Sequence, residues 1–98
     1  MGSAAEEIEA RILALVQERG PGRTIAPDDV ARALSGSRPD QWAPLMQPIR
    51  RVAVRLMKEG RIVILRKGKP VDPDDFRGVY RLAFPNAEPL PQEFEGQG

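Results

Sequence analysis

Hydrophobic positions recur with a helical period as far as Gly60 and with a period of two beyond it. Ile8, Ile12, Leu15 and Val16 fall at i, i+4, i+7 and i+8, behind Glu6, Glu7 and Glu9. This predicts a first helix from Ala5, with acids at the positive end of its dipole. Gly20-Pro21-Gly22 stops it, because Gly suits the left-handed cap and Pro cannot continue the helix. Arg23-Thr24-Ile25 predicts a short edge strand. Pro27 opens a second helix, with Asp28 and Asp29 in its first turn and Val30, Ala33 and Leu34 as its buried stripe. Ser35-Gly36-Ser37 ends it. Residues 38–44 read as a turn or short helix leading into Leu45 and Met46. Pro48 lacks a backbone donor and clashes with a preceding helical turn, so the third main helix is expected to start near Pro48 and run to Glu59. Its core positions are Ile49, Val52, Ala53 and Leu56.

After Gly60 the β-branched run Arg61–Arg66 predicts a strand, and Val79–Phe84 its partner. The connection from Lys67 to Gly78 is long for a hairpin. Within it, Asp72-Pro73-Asp74-Asp75 resembles a one-turn helix capped by Asp72. Tyr80, Leu82 and Phe84 alternate onto the buried face. Val63 and Leu65 fall opposite Ile62 and Ile64, on a face that the tail residues Leu90 and Phe94, or a partner subunit, are candidates to cover. The lone Trp42 is read as a mostly buried plug between helices rather than a platform for base stacking. The chain divides into a disordered N-terminus (1–4), a folded domain (5–84) and a flexible acidic tail rich in Pro and Gly (85–98). Three helices, an edge strand and a β-hairpin wing make the expected fold an α+β winged helix-turn-helix.

Composition narrows the function classes. A length of 98 residues allows one domain, and 41% hydrophobic with 30% charged residues is an ordinary globular mix. No apolar run is long enough to span a membrane and no secretory leader opens the chain, so a cytoplasmic protein is expected. The absence of both Cys and His excludes disulfides, thiolate nucleophiles, Cys/His zinc sites and a histidine base. Asp72, Asp74 and Asp75 lack the spacing of a calcium loop. With no nucleophile–base pair in the sequence, a binding module without cofactor, metal or catalytic residues is expected rather than an enzyme.

Charge is unevenly placed. Residues 50–81 hold ten basic and four acidic side chains, net +6, between flanks of −2 (residues 1–49) and −3 (residues 82–98). Arg51, Arg55 and Lys58 recur at i, i+4 and i+7 on the third helix, with Arg50 beside them, and Arg66, Lys67 and Lys69 mark the start of the wing. A basic helix and a basic wing sharing one side would suit duplex DNA, with RNA left open, and a role as a regulator. The competing reading is a protein-interaction winged helix that uses the sheet face, for a partner or self-association, or the acidic tail, and touches no nucleic acid.

Several local motifs together resemble a known bacterial family. They are Gly20-Pro21-Gly22 to Ile25, Val30–Leu34, Trp42 with Leu45-Met46, and Arg50–Ala53. Gly60-Arg61-Ile62, Lys67–Pro73 and Arg77–Leu82 complete the set. Over roughly residues 8–84 the chain is similar to the proteins grouped as domain of unknown function 3253. The resemblance implies a winged-helix-like fold and brings no activity or catalytic residue with it.

Overall fold

Three main helices and a four-stranded antiparallel sheet enclose one hydrophobic core in the computed structural model, which describes residues 4–85. Helix α1 (Ala4–Arg19) buries Ile8, Ile12 and Val16 along one stripe. Gly20 closes it with φ +83°, its amide donating to the Val16 carbonyl at 3.0 Å. Strand β1 (Thr24–Ile25) follows, then α2 (Pro27–Ser35). The Asp29 carboxylate accepts the Ala26 N–H at 3.0 Å, so an acid of the first turn satisfies one amide that the helix itself leaves without a partner. The stripe of α2 differs from expectation. Pro27, Val30 and Ala31 are buried, Leu34 is half-buried and Ala33 is exposed. At about 100° per residue these four centre on one side, and Ala33 points roughly a third of a turn away.

The next helix also begins earlier than expected. A short helix α3 (Pro39–Trp42) and a 3-10 turn (Ala43–Leu45) lead directly into α4 (Met46–Lys58). Pro48 is tolerated because it is the third residue of α4, where a backbone N–H would have no intrahelical acceptor. Gly60, with φ +78°, ends α4 in a Schellman motif. Its amide donates to Met57 at 3.0 Å, and that of Arg61 to Leu56 at 2.9 Å.

Strands β2 (Val63–Arg66), β3 (Lys69–Pro70) and β4 (Arg81–Ala83) complete the sheet in the order β1-β4-β2-β3. Leu82 pairs with Ile25 on one side and Ile64 on the other. Both strands are shorter than the sequence suggested, and Phe84 lies beyond β4. The long connection contains a tight hairpin that the residue pattern did not reveal. Arg66 pairs with Lys69 across a two-residue turn in which Lys67 (φ +53°) and Gly68 (φ +79°) are both left-handed, the geometry of a type I′ turn. No helix forms at Asp72, but the single turn expected there does. The Asp72 carbonyl accepts the Asp75 N–H at 3.0 Å. The Asp72 carboxylate caps the turn by accepting the Asp74 N–H at 2.9 Å, which redirects the chain towards Phe76.

Phe76 and Tyr80 enter the core edge to face, with ring centroids 5.3 Å apart. Leu15, Leu34 and Phe84, expected in the core, are only half-buried, whereas Ile25, Ile64 and Phe76 are buried. Trp42 is likewise half-buried, at the margin of the core, with the Arg32 guanidinium 5.7 Å from its ring centroid. The result is an α+β winged helix-turn-helix fold, with α2 and α4 as the helix pair and β2, β3 and β4 as the wing. Among the described residues no helix is long and apolar enough to cross a membrane. Residues 1–3 and 86–98, including Leu90 and Phe94, lie outside the described residues.

Candidate nucleic-acid interface

Helix α4 turns Ile49, Val52, Ala53 and Leu56 inward. Helical geometry places Gln47, Arg51, Val54 and Lys58 on the opposite side, at i, i+4, i+7 and i+11, and of these only Val54 is partly covered. The basic stripe expected from Arg51, Arg55 and Lys58 divides here. Arg51 stands on the outward ridge, and its side chain meets no acid among the described residues. Arg55 leans towards α1, where it ion-pairs with Glu9 at 2.5 Å and also reaches Glu59 at 3.1 Å. Lys58 leans the other way, onto Asp74 at 2.6 Å. Acids therefore bracket α4, Glu9 along one flank and Asp74 along the other.

Arg50, one residue before Arg51, has a structural role. Its guanidinium donates to the Phe76 carbonyl at 2.6 Å and lies 3.8 Å from the centroid of the Phe76 ring. It thereby pins the β3–β4 loop to α4. Arg66 works similarly inside the wing, donating to the Val79 carbonyl at 3.0 Å beside Gly78. Lys67 and Lys69 occupy the wing tip, both exposed, and neither side chain has a partner among the described residues.

The electrostatics follow these pairings. Glu9 receives hydrogen bonds from Arg55 and, on its other oxygen, from Arg61 at 2.9 Å, and these hold its carboxyl below the usual range. The same contact with Glu9, assisted by Glu59, raises the Arg55 guanidinium. Two further polar groups belong to the exposed surface and were missed in the sequence. Gln47 shares the Arg51 ridge, but a helix begun at Pro48 leaves it out. Arg77 is exposed on the loop, without a side-chain partner among the described residues. Its signal is the Phe76-Arg77-Gly78 context, in which the flanking residues make the turn and the cation is left outside.

Among the described residues no group of three His, Cys, Asp or Glu side chains could hold a metal ion. A protein-family model described as "Protein of unknown function (DUF3253)" matches residues 5–85. No curated protein matches the chain.

Proposed function

The chain belongs to the family of proteins of unknown function DUF3253, and from its geometry we propose that it binds duplex DNA through the outward ridge of α4 and the wing tip. The observation that carries this reading is that ridge, exposed at Gln47, Arg51 and Lys58. A major groove admits one α-helix, and an Arg and a Gln one turn apart supply the donors that base edges accept. Lys67, in the two-residue turn, and Lys69, in the strand directly after it, suit phosphates flanking that groove. The Lys58–Asp74 pair is exposed at both ends, and such pairs contribute about 0–1 kcal/mol, so Lys58 is free to exchange Asp74 for a phosphate. Arg50, Arg55 and Arg66 are occupied within the fold and contribute field rather than contacts.

The module is a binder, not an enzyme, and works in the cytoplasm. The lack of His and Cys supports the first statement, because it leaves surface carboxylates and lysines as the available bases. The half-exposed apolar outer face of the sheet favours a second reading, in which a protein partner is bound there and DNA is not. Fluorescence anisotropy of a labelled duplex, titrated at several salt concentrations, separates the two. The triple variant Arg51→Ala, Lys67→Ala, Lys69→Ala should weaken binding and reduce the salt slope by about 1.8, which is about 0.9 for each of the two phosphates given up by Lys67 and Lys69. Its melting temperature should barely move, since all three side chains are exposed. Wild-type affinity in the folded triple variant, or no duplex binding by the wild type at low salt, would overturn the proposal. A single-stranded RNA arm in the same assay shows whether the surface prefers that polyanion.

A further inference from the structure

The two faces of the sheet differ in what covers them. Ile25, Ile64 and Leu82 point into the core and are fully buried. On the outer face Val63 and Leu65 are only half-buried, and they line a shallow depression of about 330 Å³ with Pro70 and Phe84. Cations border this apolar strip. Arg23 lines one end, Lys67 and Lys69 flank Gly68 at the other, and Arg81 pairs across from Leu65. The described structure stops at Pro85, directly after Phe84 of the lining. The thirteen residues that follow in the sequence, 86–98, include Leu90 and Phe94, three glutamates (Glu88, Glu93 and Glu95) and no cation.

We propose that the outer sheet face is the docking site of the chain's own acidic C-terminal segment, with Leu90 and Phe94 over the Val63–Leu65–Phe84 depression and the glutamates beside the bordering cations. Reach is sufficient. Five residues from Pro85 to Leu90 extend to at most about 18 Å. Crossing four strands spaced about 4.8 Å apart needs roughly 14 Å. The short tether gives an effective concentration on the order of millimolar, so a contact too weak to hold a separate peptide is still populated. Pro89 and Pro91 donate no backbone hydrogen bond, so the segment docks by its side chains across the face and does not extend the sheet as a fifth strand. Apolar contact supplies the holding energy and the opposite charges fix the direction. None of this depends on DNA binding.

Because the chain has no cysteine, Gly96→Cys carries a single nitroxide label in the full-length protein. Paramagnetic broadening should then strongly attenuate the backbone amide signals of Thr24, Val63 and Leu65 while sparing those of Ile12 and Leu56. The double change Leu90→Ser, Phe94→Ser in the labelled chain should restore the lost signals, and high salt should restore part of them. Broadening that is absent, uniform over the domain, or unchanged by the double substitution would overturn the proposal. A mixture of isotope-labelled chain without nitroxide and nitroxide-labelled chain without isotope provides the remaining test. Broadening of the same amides in that mixture would assign the face to a second copy and overturn docking within one chain.

Discussion

Along the flanks of α4, Arg50 reaches the Phe76 carbonyl and Arg55 the Glu9 carboxylate, whereas at the wing tip Lys67 and Lys69 reach no partner among the described residues. The two regions carry the same charge and were equally attractive as a polyanion surface. They differ in cost of use. Moving Arg50 onto a phosphate would strip a carbonyl of its donor and uncover an aromatic ring, so its charge is committed to the fold. A wing-tip lysine gives up no contact with a described residue, only side-chain entropy, when it meets a phosphate. Cation count therefore overstates the binding surface of this domain, and the partners that decide the matter are distant in sequence.

The largest expected effect tests the committed side of this contrast. Phe76→Ala should cost about 3–5 kcal/mol, the usual range for deleting a buried aromatic, measured by urea unfolding. Arg50→Ala should cost about 1.5–3 kcal/mol, as for losing a hydrogen bond to a charged group. The double variant should cost less than the sum, because each change removes the same interaction. Lys69→Ala should stay within about 0.5 kcal/mol of wild type. If Arg50→Ala behaved like Lys69→Ala, the distinction between committed and free cations would collapse.

How much of this was legible depended on sequence distance. Ile8, Ile12 and Val16 in α1 and Ile49, Val52 and Leu56 in α4 announced their helices because helical periodicity is local, and glycine marked both helix ends. The start of α4 was misplaced because a proline mid-helix and a proline in the first turn look alike until the preceding chain is seen to coil as well. The Lys67-Gly68 turn hid because lysine seldom takes a left-handed conformation. Phe76 hid inside a polar loop, and its burial depends on Arg50, 26 residues earlier. At the candidate site the ridge position of Arg51 was readable from spacing alone, but the diversion of Arg55 to Glu9 and of Lys58 to Asp74 was not.

Tyr80 sharpens the interior side of the contrast further. Its hydroxyl is buried without a hydrogen-bond partner among the described residues, beside the Arg50–Phe76 contact. Tyr80→Phe should therefore stabilise the domain by about 1 kcal/mol, since an unsatisfied polar group leaves the interior. Burial also raises the phenol above its ordinary value of 10.0, a shift the nearby Arg50 partly opposes. A raised value means the folded state holds the proton more tightly than the unfolded state. That stabilisation is present in full below about pH 10 and is lost as pH rises through the folded value. As the chain has a single tyrosine, absorbance near the tyrosinate band should show its ionisation delayed until the domain unfolds. In Tyr80→Phe this source of alkaline sensitivity should disappear.

At the wing tip the expected effect is smaller and of opposite sign to the loss at Phe76. Lys67→Asn should stabilise the hairpin by about half a kcal/mol, because Asn-Gly is favoured in a type I′ turn. The same change removes a free cation, so DNA affinity should fall while the melting temperature rises slightly. A parallel fall in both would mean that Lys67 supports the wing and belongs with Arg50.

The smallest change in stability is expected at Glu9, and it moves one region towards the other. Glu9 is the shared acceptor of Arg55 and Arg61, and it sits low in pKa first because of its hydrogen bond to Arg55. The stabilisation from a lowered carboxyl is present above the ordinary carboxylate range and is lost as pH falls through the folded value. Acid unfolding of Glu9→Gln should therefore lack that component, and the difference should be slight, since these are exposed pairs. The functional effect is more telling. Glu9→Gln leaves Arg55 and Arg61 with Glu59 as their remaining acid and brings the α1 flank of α4 a step closer to the wing tip. Duplex binding should tighten and its salt slope should steepen by up to about 0.9 for each arginine that reaches a phosphate. An unchanged slope would place that flank beyond the reach of the DNA, leaving Arg51 and the wing lysines as the groups that touch it.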